Sequence, residues 1–219
     1  EQAVFWLSQV HSDEAIDALE EIVMSSRDME IREKAIFALS QQGDERSTAI
    51  LRRFAGQNDA PSELREKAIF WLGQQGRGGN SRFLMDLYRQ LNDEELKEKV
   101  LFSVSQMGGD SSARWLMGIA TDAKEPVEMR KKALFWVAQS DGGPALDELF
   151  DLYGRMEERE MKEQLIFVYS QRHEKKAVDK LMEIARTEED RELRKKAVFW
   201  LSQSRDPRVA DFLIEVINQ

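Results

Sequence analysis

Few side chains in this sequence have the type and spacing for covalent or metal chemistry. Cysteine is absent, which removes disulfides, thiolate nucleophiles and thiolate-held zinc. Histidine occurs only at His11 and His173, far apart in the chain, so a histidine-rich metal site is not expected. The one His-Glu pair is His173-Glu174. Carboxylates abound, but none has a spacing that sets a catalytic couple apart from surface charge. Gly76, Gly78 and Gly79 are not followed by the Lys-Ser or Lys-Thr of a phosphate-binding loop. The sequence therefore reads as non-enzymatic, with no cofactor and no metal.

What recurs instead is a triad of a cation, an aromatic ring and a primary amide. It appears as Lys34, Phe37 and Gln41; Lys67, Phe70 and Gln74; Lys99, Phe102 and Gln106; Lys132, Phe135 and Gln139; and Lys196, Phe199 and Gln203. The sixth copy has Gln164, Phe167 and Gln171, and the first has only Phe5 and Gln9. Spacings of three and four residues put each triad on one face of a helix. The central copies, from Lys34 to Gln139, are the candidate binding residues. Two readings stand for the rings. They pack on one another and on lysine stems, or they form an apolar strip for a peptide or helix. Two also stand for the amides. They tie down helix C-terminal carbonyls, or they hold an extended backbone through donor and acceptor together. Basic runs such as Arg130-Lys131-Lys132 and Arg194-Lys195-Lys196 follow acidic stretches. They pair locally, or they make this face more positive than the whole molecule and suited to an acidic peptide.

The elements that must position these triads form a repeat. Phe recurs at 5, 37, 70, 102, 135, 167 and 199, a period of 32 or 33 residues. Each unit holds two amphipathic patterns, such as Leu64, Ala68, Trp71, Leu72 and Gln75, then Leu84, Leu87, Tyr88 and Leu91. The Gly73–Ser81 stretch between them reads as a turn. Pro144 and Pro207 read as lying near first helical positions. Asn92 with Glu95 and Asp122 with Glu125 have capping-box spacing. Fourteen residues after each Phe stands Leu19, Leu51, Leu84, Leu116, Leu149, Leu181 or Leu213. Three residues further come Ile22, Phe54, Leu87, Ile119, Leu152, Ile184 and Val216, completing a core ladder. Beside each Phe, large and small residues alternate: Trp6, Ala38, Trp71, Ser103, Trp136, Val168, Trp200. The second helices alternate in phase through Val23, Ala55, Tyr88, Ala120, Tyr153, Ala185 and Ile217, so two units together form a longer period. The expected organisation is a single domain over 1–219, with units at about 1–27, 28–59, 60–92, 93–124, 125–157, 158–189 and 190–219.

These units resemble the HEAT-repeat family. The resemblance rests on Ile31-Arg32 with Ala35, Leu64-Arg65 with Ala68, Trp71, Leu72 and Gly73, Met129-Arg130 with Ala133, and Leu193-Arg194 with Ala197; Lys97 and Lys162 take the Arg position in two units. It covers nearly the whole chain. It implies an all-α, right-handed α-solenoid of seven two-helix repeats, with the triad helix lining the concave face, and a scaffold that binds protein or peptide. The recurring Phe, Trp and Gln depart from the family pattern and mark a specialised subfamily. A purely structural spacer is the alternative. Thirty-two basic against 41 acidic residues give a formal charge of −9, which argues against a nucleic-acid partner. The single His-Glu pair argues against a metal-dependent HEAT-like enzyme. No apolar run approaches the ~20 residues that cross a bilayer. The compartment stays open, since a chain without cysteine suits the cytoplasm and export alike. Because Glu1 opens inside a helical pattern and 207–219 ends on a second-type helix, flanking repeats or a capping domain are expected.

Overall fold

The computed structural model describes residues 2–76, 78–140, 143–172 and 174–217. His173 and its pairing with Glu174 lie outside the described residues, as do the side chains of Val216 and Ile217. All regular structure among the described residues is α-helical. The odd helices are α1 (Gln2–Gln9), α3 (Met29–Gln42), α5 (Ser62–Gln74), α7 (Glu94–Met107), α9 (Val127–Gln139), α11 (Arg159–Ser170) and α13 (Arg191–Ser202). The even helices are α2 (Asp13–Ser25), α4 (Glu45–Ala55), α6 (Gly78–Gln90), α8 (Gly109–Thr121), α10 (Leu146–Arg155), α12 (Lys175–Thr187) and α14 (Arg208–Ile217). Each odd helix and the even helix after it form one hairpin, giving seven hairpins of the solenoid class.

The chain divides into two compact units, 1–115 and 116–219. In the first, α1, α3, α5 and α7 lie side by side, and α2, α4 and α6 each pack on the odd helices before and after them. In the second, α9, α11 and α13 lie side by side; α10 packs on α11 and α12, and α12 packs on α13. The layers meet on the expected ladder. Leu19, Leu51, Leu84, Leu116 and Leu149 are fully buried, as are Phe54 and the odd-helix alanines Ala35, Ala68, Ala133 and Ala197. A solenoid hairpin cannot bury its apolar faces alone, so each unit gains its core only by stacking.

Aspartates set several helix starts. Asp28, Asp93 and Asp190 each accept two backbone N–H bonds at the beginning of α3, α7 and α13. Three local expectations need correction. The cap of α7 is Asp93, because the helix starts at Glu94, one residue later than an Asn92 cap requires. Asp122 and Glu125 form a turn closed by Glu125 N–H donating to the Asp122 carbonyl, and α9 starts only at Val127. Gly73 is not a turn residue: α5 continues through Gln74, and Gly73 faces the next odd helix. Pro144 and Pro207 precede α10 and α14 without entering them.

Candidate functional site

The rings of the triads do not stand alone. In the first unit Phe37 meets Trp71 at 5.0 Å between centroids, Trp71 meets Phe70 edge-on at 5.1 Å, and Phe70 stacks on Phe102 at 6.3 Å with planes 3° apart. In the second unit Trp136 meets Phe135 at 4.8 Å, Phe135 stacks on Phe167 at 6.0 Å, and Phe167 meets Trp200 at 5.2 Å. The alternation of large and small residues explains the order. Where the following odd helix carries a Trp, the ring leans on the indole. Where it carries Ser103 or Val168, both buried, ring stacks on ring. Phe70, Phe102, Phe135 and Phe167 are half-buried as a result. Phe5, Phe37 and Phe199 are 59%, 45% and 54% exposed. The strip is thus partly structural; of the central copies only Phe37 keeps an open ring, beside Phe5 and Phe199 outside them.

Every amide of the ladder, from Gln9 to Gln203, is exposed. None of those described ties down a neighbouring hairpin. At four of the five places where a Ser precedes the Gln, all but Ser105-Gln106, a short local chain forms. Ser40 Oγ donates to the Phe37 carbonyl at 2.6 Å, and Gln41 Nε2 donates to Ser40 Oγ at 3.2 Å. The same relay recurs at Gln9, Gln171 and Gln203. Gly73 and Ala138 replace that Ser before Gln74 and Gln139. Gln74, Gln106 and Gln139 make no hydrogen bond among the described residues and keep both amide functions open.

The capping work belongs to the next residue along, which sequence reasoning missed. Gln42 is buried and donates Nε2 to the carbonyls of Leu7 and Val10 at 3.0 Å and of Ser8 at 3.4 Å. Gln75 donates to the Ser40 carbonyl at 3.1 Å and accepts from Thr48 and Asn80. The sign available in the sequence was Gln75 on the apolar side of its helix. The residue at this position changes from unit to unit, so it forms no ladder.

The lysines are also engaged. Lys67 Nζ lies 2.7 Å from Glu33 and Lys99 Nζ 3.3 Å from Glu66, each on the preceding odd helix; Lys196 reaches Glu163 at 3.3 Å. Lys34 pairs within its helix with Glu30 at 2.6 Å. The hydrogen bond to Glu33 holds the Lys67 ammonium above its ordinary range. Lys132 is half-buried. These pairs take up the positive charge the sequence suggested for this face, and each exposed pair contributes at most about 1 kcal/mol.

Where a unit carries Arg near the start of its odd helix, the Arg serves the fold. Arg65 and Arg130, 5% and 4% exposed, donate Nε to the Ala55 and Ala120 carbonyls at 2.9 and 3.2 Å. Arg32 does the same to Val23 at 2.7 Å. Each satisfies a carbonyl at the end of the preceding even helix, where partners run out. Arg130 also bonds Glu158 at 2.6 Å, which lowers the Glu158 pKa. Where that helix ends in Tyr instead of Ala, the cation is Lys. Lys97 sits over the Tyr88 ring at 4.9 Å and Lys162 over Tyr153 at 5.2 Å. Burial, then the hydrogen bond to Glu188, pushes the Tyr153 phenol far up, so it stays a donor.

Among the described residues no three His, Asp or Glu side chains gather as a metal cluster, and no helix is long and apolar enough to cross a membrane. A family model described as HEAT repeats matches residues 1–61, and one described as PBS lyase HEAT-like repeat matches residues 193–219. No curated protein matches in sequence. Among solved structures, the complex of CpcE and CpcF of phycocyanin lyase from a Nostoc species aligns with 99% of this chain and 86% of its own, at 17% identity and a TM-score of 0.45. Human deoxyhypusine hydroxylase, solved with glycerol, aligns with 99% of this chain and 88% of its own, at 16% identity and a TM-score of 0.44.

Proposed function

Starting from the HEAT-like repeat α-solenoids, the family to which this chain belongs, we propose that it is a non-catalytic module that binds protein or peptide on its odd-helix faces. The observation that carries this reading is the set of exposed amides on the side-by-side odd helices of each unit; Gln74 and Gln106 in the first and Gln139 in the second make no hydrogen bond among the described residues. An amide offers a donor and an acceptor, which is what a peptide group needs on each side. Packed helices lie ~10 Å apart. An extended peptide advances ~3.3 Å per residue, so one amide per helix meets about every third residue of a strand laid across the odd helices of one unit. The aromatic strip beside the amides, open at Phe37 and Phe199, supplies apolar contact.

One observation favours the spacer reading: Phe70, Phe102 and Phe135 are half-buried, and Lys34, Lys67 and Lys99 pair with glutamates. Affinity capture from the source organism's lysate separates the two. The parent runs beside a Gln74→Ala, Gln106→Ala, Gln139→Ala variant that melts like it. A partner kept by the parent and lost by the variant supports the amide row. Equal retention assigns the contacts elsewhere and favours the spacer.

A further inference from the structure

The second unit contains a cleft of about 680 Å³ between the sixth and seventh hairpins, at the end where each odd helix turns into its even helix. Its origin is visible in the sequence register. In three units the residue five places after the ladder Phe is long and polar and reaches back into the preceding turn. Gln42 bonds three carbonyls of the first turn, Gln75 bonds the Ser40 carbonyl, and Arg172 Nη2 donates to the Pro144 carbonyl at 3.4 Å. In the last hairpin this residue is Ser204, whose side chain is too short to cross. Among the described residues no side chain of the seventh hairpin bonds the carbonyls that end α11, and the space an amide fills in the first unit stays open as the cleft.

The walls are apolar and cationic. Tyr169 and Trp200 form the apolar side; Arg172, Lys175 and Arg205 supply the charge. Elsewhere in this acidic chain most lysines and arginines reach a carboxylate. Among the described residues these three have none within 4 Å, and the Arg172 Nε is buried without a hydrogen bond. The acidic residue beside them, Asp206, is held by Arg208 at 2.7 Å. Three cations without a carboxylate within 4 Å, against the one lining carboxylate Asp206, which Arg208 holds and Lys175 also attracts, favour an anion. Carbonyl oxygens at a helix C-terminus favour N–H donors and oppose a compact anion laid directly on them. The volume falls within the ~300–1,000 Å³ of sites that enclose a small ligand or a few residues of peptide.

We infer that this cleft binds an acidic peptide segment, its backbone N–H groups on the α11 end in the place that Gln42 and Gln75 amides take in the first unit, and its carboxylates on Arg172, Lys175 and Arg205. The inference shares with the proposed function only the class of partner; the site is separate from the amide row.

The test is fluorescence anisotropy with a labelled Glu-Gly repeat octapeptide, beside its Gln-Gly counterpart, on the whole chain in moderate salt. The parent is expected to bind the Glu-Gly peptide at least tenfold more tightly than the Gln-Gly peptide. Ser204→Gln, which restores the plug, is expected to weaken binding at least tenfold without lowering the melting temperature, and Lys175→Gln with Arg205→Gln to do likewise. An Arg53→Gln, Arg89→Gln variant, which removes two surface cations of the first unit, is expected to bind within twofold of the parent, which shows that binding does not follow from basic charge at large. Equal binding by parent and Ser204→Gln overturns the site. So does absence of Glu-Gly binding below millimolar concentration. Displacement of the peptide by inorganic phosphate at equal concentration overturns the peptide assignment in favour of a compact anion.

Discussion

Gly73 lies so close to Ser103 that a β-carbon on Gly73 would stand 2.7 Å from the Ser103 β-carbon. The two backbones of α5 and α7 approach here because the alternating series has reached its small member, and Ser103 is almost fully buried. Gly73→Ala is expected to destabilise by about 1–3 kcal/mol, although alanine is the better helix former, because overpacking outweighs the propensity gain of roughly 1 kcal/mol. Ser103→Trp is expected to cost more, since it adds an indole at the same contact. Urea denaturation reads both, and a Gly73→Ala midpoint at or above the parent's would show that the helices separate freely.

Neighbouring glutamines give a sharper contrast. Gln42 is buried and bonds three carbonyls of the first hairpin; Gln41 is exposed and bonds only Ser40. Gln42→Ala leaves those carbonyls without their donor and is expected to cost about 1–3 kcal/mol. Gln41→Ala is expected to stay within about 0.5 kcal/mol. Thermal melts of the two variants at matched concentration decide it, and equal losses would remove the distinction between plug and ladder.

The period, the two helices per unit and the leucine ladder were legible because a repeat writes each structural demand seven times. The exposed face was legible too, since Lys34, Phe37 and Gln41 share it by spacing alone. What the ladders contact was not. The partner of Lys67 is Glu33, one full unit earlier, and nothing within one helix points to it. Gln42 and Gln75 were obscured for a different reason. Their position carries Met107, Ser140, Arg172 and Ser204 in later units, so averaging over the repeat erases it. The cleft of the second unit lies in that same irregularity: a repeat exposes its core by being regular and its candidate sites by departing from it.

Acid should weaken the last hairpin through Asp206. Its carboxylate accepts from the Arg208 side chain at 2.7 and 2.9 Å and from the Arg208 N–H at 3.0 Å, and these bonds bring its pKa from 3.8 down to about 2. A folded pKa below the unfolded one means that the contribution is complete above about pH 4 and fades as pH falls towards 2. The parent is expected to exceed Asp206→Asn in stability at neutral pH, with the gap closing between pH 4 and 2. A gap that stays constant down to pH 2 would rule out this ionisation as the cause.

The two-unit period makes the strongest claim about specificity. Ala55 goes with Arg65, whose guanidinium reaches its carbonyl; Tyr88 goes with Lys97, whose ammonium covers its ring. Each cation suits the space its partner leaves. Exchanging only the helix residues, as Ala55→Tyr with Tyr88→Ala, keeps composition constant. It also forces a phenol into a fully buried site beside Arg65 and empties another. Loss of a buried aromatic costs about 3–5 kcal/mol, before overpacking is added. Adding Arg65→Lys and Lys97→Arg restores both pairings and is expected to recover at least about 1 kcal/mol, read as a double-mutant-cycle coupling. Recovery should be incomplete, because Tyr88 also meets Trp115 edge-on at 5.3 Å and Ala55 offers no such ring. If the fourfold variant is no more stable than the twofold one in urea, the cations respond to their units independently, and the alternation is a property of the aromatic strip alone.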